Sequence, residues 1–278
     1  MSEREISIEC IAETKVNEEA VYRWLATMGV SKDFKLPDTR VDDESVVSDP
    51  ALTVALAAKQ CYMSFEPGLN PNVTKVRRDY TEYLDNILKS GHGSVLEHAT
   101  WTFAIDGVTR VFTAEMNRHR AGWAISEKSL RFVRFDEDIP FWMPMSLRDE
   151  PDDEPTVKAA KKQSREIFRD AFSDCRMHYD RLKKIWDIEG RKQFAEKKKL
   201  TSMFRRIVPL GVCTGGVWTG NARALRHVMA MRASPAAEEE ILHVFSQIAQ
   251  VMSQQEPLLF GDFHQDDNGY WVPKYPKV

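Results

Sequence analysis

No stretch of this 278-residue sequence approaches the roughly 18 consecutive apolar residues of a membrane-crossing helix, so it is not read as a membrane protein. Cysteine is scarce. Cys10, Cys61, Cys175 and Cys213 lie far apart and never form Cys-x-x-Cys, which argues against a disulfide framework or a zinc site and fits reduced, mostly buried thiols. The opening residues, MSEREISIEC, are charged from the start and lack an apolar signal core, so a cytoplasmic location is expected. Charge of one sign is also missing: the formal net charge is -3, and the molecule as a whole has no electrostatic case for binding nucleic acid. There is no internal repeat and no low-complexity linker. No Gly-x-Gly-x-x-Gly follows a strand-like run, so no dinucleotide is held in a Rossmann half. What remains is ordinary globular material, 42% hydrophobic and 29% charged, long enough to bury a sizeable core.

Periodicity and punctuation divide the chain. EISIECIAE reads as a short strand and NEEAVYRWLATMGV as a helix; residues 31–50 are polar and turn-rich, a surface loop. PALTVALAAKQCYMSF has Pro50 near a helix start, and VRRDYTEYLDNILKSG is a helix closed by Gly91. ATWTFAI, β-branched and aromatic, reads as a strand broken by Asp106-Gly107, after which VTRVFTAEMNRHR takes up helical spacing. An acidic loop then enters a charged helix running to about residue 199. Near the C-terminus two helices are expected, one after Gly215-Gly216 and one started by Ser234-Pro235. The pattern is that of one α+β domain, 1–278, with inserts, about 1–50 at the N-terminus and a helical one at about 146–200.

Four clusters carry chemistry. In SGHGSVLEH, His92 and Ser94 stand beside glycines that admit close approach of a ligand, while His92 and His98 are not at a metal-binding helical spacing. In AEMNRHR, a helix over 108–120 would put Glu115 on the face of Arg118 and His119, with Arg120 pointing away from Arg118. Glu127, Ser129 and Arg131 alternate as on an extended segment; arginine there suits phosphate, because its planar fork binds oxyanions bidentately. Arg205-Arg206 stands at a helix end. In NARALRHVMAMR, Arg223 and His227 share one helix face and Asn221 and Arg232 another, an arrangement that can separate two ligands or bridge subunits.

The order GHGSVLEH, TF, TR, EMNRHR, ISEKSLRF, RRIVP, NARALRH and MR resembles the flavin-dependent thymidylate synthases over about residues 55–245. The resemblance implies a single α+β domain with a mixed or antiparallel sheet flanked by long helices. It implies conversion of dUMP to dTMP with methylenetetrahydrofolate as carbon donor, FAD as cofactor, NADPH as reductant, and a homotetramer with active sites between subunits. His92, Ser94, Arg118, His119, Arg120, Glu127, Asn221, Arg223 and His227 fall at flavin positions. Glu115, Arg118, Ser129, Arg131, Arg206 and Arg232 fall at nucleotide positions, with Arg232 closest to the chemistry; no metal is implied.

Two departures stand out. Eight residues, Ala121 to Lys128, separate the Arg-His-Arg triplet from Ser129 where the family usually has seven, and Phe132 stands where tyrosine is common. The extra residue keeps open a different 5-substituted product, such as hydroxymethyl. A nucleic-acid-binding module and an oligomeric scaffold are the readings from other classes.

Overall fold

The computed structural model describes residues 2–37 and 47–277; part of the expected 31–50 loop lies outside the described residues. In chain order the elements are β1 (Ser7–Glu13), α1 (Glu18–Thr27), α2 (Asp49–Tyr62), α3 (Tyr80–Lys89), β2 (Thr100–Thr109), α4 (Arg110–Met116) and β3 (Trp123–Glu127). There follow α5 (Pro155–Ile185), α6 (Phe194–Phe204), β4 (Cys213–Asn221), α7 (Ala222–Arg232), α8 (Glu239–Gln255), α9 (Pro257–Phe260), β5 (Phe263–Gln265) and β6 (Trp271–Pro273). The helix starts follow from their caps. The Asn17, Ser48 and Asp79 side chains accept first-turn N–H groups of α1, α2 and α3, donors that the helix itself leaves unpaired.

The architecture is α+β, with a four-stranded antiparallel sheet in the order β1-β2-β4-β3. Alternation along β2 aims Trp101, Phe103 and Ile105 at the core, and register sets Phe103 opposite Trp218 and Trp218 opposite Ile125. Helices cover this face with aromatic edges: Phe112 of α4 meets Trp218 at 5.8 Å, Phe245 of α8 meets Trp123 at 6.4 Å, and Phe260 of α9 meets Trp101 at 5.4 Å. Each such fully buried side chain contributes about 1.5–3 kcal/mol. The N-terminal region takes part in this fold, since β1 is an edge strand of the sheet.

Four sequence expectations change. Asp106-Gly107 does not end β2; the strand passes through it with a register shift and continues to Thr109. Gly107 has φ +79° and would place a Cβ 2.2 Å from the Glu5 carbonyl oxygen, so glycine permits a bulge here, not a break. Gly215 and Gly216 lie inside β4, an inner strand whose glycines erase the β-propensity signal. The long charged helix is two: α5 stops at Ile185, Asp187 has φ +42°, and α6 starts at Phe194. The turn lets both helices pack on a second cluster that includes Phe135, Phe141, Phe172, Tyr179 and Phe204. Finally, Ser234-Pro235 forms a turn, and α8 begins at Glu239 under a Glu238 cap.

Candidate active site

The site is organised by α4, a helix of seven residues. Thr109 caps it through its side-chain oxygen, and Thr109 is itself held by the buried Glu240, which accepts from both its N–H and its hydroxyl. Arg110 and Asn117 are seven residues apart and share one side of α4. There they grip the two oxygens of Glu127 at 2.5 and 2.7 Å, and Arg110 also donates to the Lys128 carbonyl at 2.9 Å. Glu115 is turned roughly 140° from Arg110. Its carboxylate lies 3.0 Å from an Arg232 Nη1.

Arg232 Nε donates to His119 Nε2 at 2.9 Å, and the His119 ring meets that of His227 edge-on at 6.2 Å. Arginine can only donate, so His119 Nε2 is the acceptor and the imidazole is neutral, with its proton on Nδ1. The environment agrees: burial holds the His119 pKa below its usual value, with Arg232 and His227 adding to the shift and Glu115 opposing it. The helix ends at Met116, with Asn117 as cap, so Arg118 and His119 do not lie on a helix face with Glu115 as the spacing predicts. The turn that follows, with the His119 N–H donating to the Met116 carbonyl at 3.0 Å, carries the imidazole to Arg232 instead.

Arg118 and Arg120 are exposed and have no side-chain partner among the described residues; Arg120 lines a cavity of about 450 Å³ with Asn117, Trp123, Ile125 and Glu127. Asn221 is the N-cap of α7, accepting from the Ala224 N–H at 2.9 Å, so its carbonyl oxygen faces the helix start and not a shared face with Arg232. Arg223 pairs with Glu97 at 2.7 Å on the surface, and His227 is exposed. His92 is half-buried beside Tyr62, ring centroids 5.5 Å apart, and its Nδ1 is buried without a partner; Ser94 is exposed on the following turn.

Ser129 and Arg131 do not continue the alternation from Glu127. β3 ends at Glu127, and the Ser129 carbonyl accepts from Phe132 N–H and Val133 N–H, both at 2.9 Å, closing a turn. Arg206 is exposed and donates to the Ser202 carbonyl at 2.6 Å. Leu130 of that turn and Arg206 line one cavity of about 320 Å³, together with Arg110 and Arg205. Among the described residues no hydrogen bond or ion pair joins this basic cavity to the Glu115–Arg232–His119 cluster. A further cavity of about 510 Å³ reaches Lys128 and Arg134, but those cations are matched by Asp106 and Glu189.

Sequence reasoning missed Arg110 and Asn117, whose seven-residue spacing on one helical side was the available signal. It also missed Arg226, buried in α7 and bidentate to Asp262 at 2.6 and 2.9 Å, which ties the site helix to the C-terminal segment.

An antiparallel sheet backed by helices, with a neutral histidine held by a paired arginine and, separately, a basic cavity, defines an α+β protein equipped to hold an anionic, polar ligand. Residues 44–258 match the family model described as thymidylate synthase complementing protein, and the chain belongs to that family. It is 32% identical over 214 residues to the flavin-dependent thymidylate synthase of Mycobacteroides abscessus, covering 77% of this chain and 79% of that one. The flavin-dependent thymidylate synthase of Geobacter sulfurreducens is 30% identical over 216 residues, covering 77% and 82%. The crystal structure of a UMP/dUMP methylase, PolB, from Streptomyces cacaoi bound with 5-Br dUMP shares the fold, with TM-score 0.62 at 16% identity over 94% of this chain and 96% of that one.

Proposed function

We propose that the protein catalyses FAD-dependent reductive methylation of dUMP to dTMP, with methylenetetrahydrofolate as carbon donor and NADPH as reductant. The observation that carries this reading is Arg232, fixed by Glu115 and a neutral His119. Carbon transfer to uracil needs an electron-rich C5. A fixed cation at the N3–O4 edge of the base favours the polarised form and raises nucleophilicity at C5. Activation by cysteine addition at C6 has no support here: Cys213 is buried with its thiol pushed up to about 12, burial also raises Cys175, and no cysteine contacts the cluster.

The residues present fit a flavin. His92 Nδ1 and Trp123 Nε1 are buried donors or acceptors without a partner, and Arg118 and Arg120 are cations without one. Around them Ser94, His119, Asn221, Arg223 and His227 supply further polar contacts, with Glu127 braced by Arg110. FAD, when bound, supplies the electrons that complete the methyl group. Ser129, Arg131 and Arg206 hold the nucleotide phosphate, and Glu115 and Arg118 orient the nucleotide. The separation of the basic cavity from the Arg232 cluster within one chain supports a homotetramer, in which a second copy brings the two halves together.

A second reading keeps the cofactor and changes the product to another 5-substituted pyrimidine nucleotide. The turn at Ala121–Gly122, where the extra residue falls beside the Trp123 cavity, favours keeping it in view. The test is the visible spectrum of purified protein, its bleaching by NADPH with and without nucleotide, and the mass of the product formed from dUMP and from UMP. A colourless protein that neither binds FAD nor converts dUMP refutes the proposal; a product heavier than dTMP by one oxygen selects the second reading.

A further inference from the structure

Residues before the family match and residues inside it meet in a cavity of about 350 Å³, lined by Asp33, Phe34 and Lys35 from the N-terminal side and by Lys59, Phe65, Arg78 and Tyr80, among others, from the body. Its chemistry is unusual. Lys59 is 2% exposed, yet no carboxylate pairs with it among the described residues; its ammonium donates to the Arg77 carbonyl at 2.8 Å and lies 4.5 and 5.6 Å from the ring centroids of Tyr83 and Tyr80. A buried ammonium satisfied by one carbonyl and two ring faces carries an uncompensated desolvation cost. Burial accordingly lowers its pKa to about 8.

The rest of the wall repeats the imbalance. Lys35 and Arg78 are exposed and form no ion pair among the described residues, whereas Glu66 accepts the Ser31 N–H at 2.9 Å and Arg77 is engaged by Glu82 at 3.1 Å. The Tyr80 hydroxyl is buried without a hydrogen-bond partner. Phe34 and Phe65, edge-on at 6.2 Å, supply flat apolar walls. Buried cation, orphan hydroxyl, free surface cations and aromatic walls are complementary to one ligand type, an oxyanion carried on a planar ring.

The geometry points to a second ligand site here, taking a small aromatic phosphate or carboxylate whose oxyanion reaches Lys59 and Arg78 and whose ring lies against Phe34 and Tyr80. The size of the cavity is that of a small-molecule pocket at the lower end of the usual range. Asp33, Phe34 and Lys35 precede the family match, so this chain's N-terminal segment completes a site whose other walls lie within that match, and the site shares no lining residue with the Arg232 cluster.

The test is fluorine NMR and calorimetric titration of the full-length protein with 4-fluorophenyl phosphate and with 4-fluorobenzoate, with inorganic phosphate as competitor. Saturable binding of at least one aromatic probe is expected, weakened about tenfold or more in Lys59→Met and in Arg78→Ala, since each removes a charged partner. It should be retained in Arg206→Ala, which alters the proposed nucleotide-phosphate cavity. The tighter of the two probes identifies phosphate or carboxylate as the preferred group. Arg78 is on the surface, so Arg78→Ala carries the test if Lys59→Met does not fold. No saturable binding of either aromatic probe, or a loss confined to Arg206→Ala, overturns the inference. Neither result depends on dTMP formation, so failure here and failure of the proposed activity are distinguishable.

Discussion

Replacing Arg232 with alanine removes the donor that holds His119 neutral and the cation that pairs with Glu115. Hydrogen bonds from a charged donor contribute about 1.5–3 kcal/mol, and partial solvent screening moves such pairs downward. The two side chains are 15% and 25% exposed, so the expected loss of folding stability near pH 8 is toward the lower end, about 1.5 kcal/mol. The pH dependence carries more information. His119 titrates below 6.5 in the folded protein, so as pH falls through 6.5 the unfolded chain takes up a proton that the folded chain refuses, and stability declines until the folded pKa is passed. Without Arg232 the repulsion and the bond to the neutral ring both disappear, the His119 pKa moves up, and the variant's deficit narrows on the acid side. Glu115→Ala has the opposite sign: it removes the charge that favours protonation and pushes the pKa further down. Histidine NMR titration of the wild type and both variants, with urea unfolding at several pH values, measures these shifts. An unchanged His119 titration in Arg232→Ala refutes the reasoning. So does a deficit that is the same at pH 5 and pH 8. In the proposed reaction the same variant keeps flavin absorbance and NADPH oxidation but loses about 10²–10³ in dTMP formation, the usual cost of removing one such electrostatic group.

Ser129→Ala is expected to weaken dUMP affinity while leaving measurable turnover, because among the described residues the Ser129 hydroxyl accepts only from the Arg131 N–H, at 3.4 Å, and has no base to activate it; isothermal titration beside steady-state rates tests this. Arg226→Met, which leaves Asp262 buried at 6% exposure with its bidentate partner gone, should cost about 3–5 kcal/mol in urea unfolding. Burial lifts both Glu240 and Glu256 to about 7, so their contribution is full below about pH 4.5 and is lost as pH rises through 7; Glu240→Gln and Glu256→Gln should each flatten that part of the stability profile. Stripping FAD should weaken the assembly, since a ligand bound only by the assembled state stabilises it by mass action, and sedimentation velocity of apo and FAD-loaded protein reads this directly.

How far the sequence reaches depends on whether a feature is local. The start of α2 at Pro50, the Gly91 stop and the β-branched run of β2 are decided by neighbours within a few positions, and they were legible. The Gly215-Gly216 strand was not, because what makes it a strand is pairing with residues more than a hundred positions away, with glycines where partner backbones press close. The site divides the same way. Residue types pointed to an anion-binding centre, but the partner of each residue did not follow from spacing: Glu115 reaches Arg232 at the end of α7, Glu127 is taken by Arg110 and Asn117, and Arg226 is structural although its helix neighbours Arg223 and His227 face outward.

The extra residue between Arg120 and Ser129 shows how the two levels meet. Gly122 has φ +75°, a conformation glycine adopts without steric cost, and a Cβ there would lie 2.7 Å from that of Ala224. Its carbonyl accepts the Asn221 N–H at 3.1 Å, docking the turn on the start of α7. From Trp123 opposite Gly220 to Glu127 opposite Gly216, β3 then runs beside β4 without a register shift. A one-residue slip inside that strand would have turned Glu127 to the other face of the sheet and away from Arg110. The turn at Ala121–Gly122 lies before the strand begins, so length added there leaves the β3–β4 register unchanged. Any change in chemistry caused by the added length is therefore expected at the Trp123 cavity, where a ring could be shifted, and not at the separate Ser129–Arg131 turn, where the proposed phosphate contacts lie. Deleting Ala121 should accordingly alter flavin absorbance or product before it alters nucleotide affinity, and a variant that loses dUMP binding with an unchanged flavin spectrum would contradict this account.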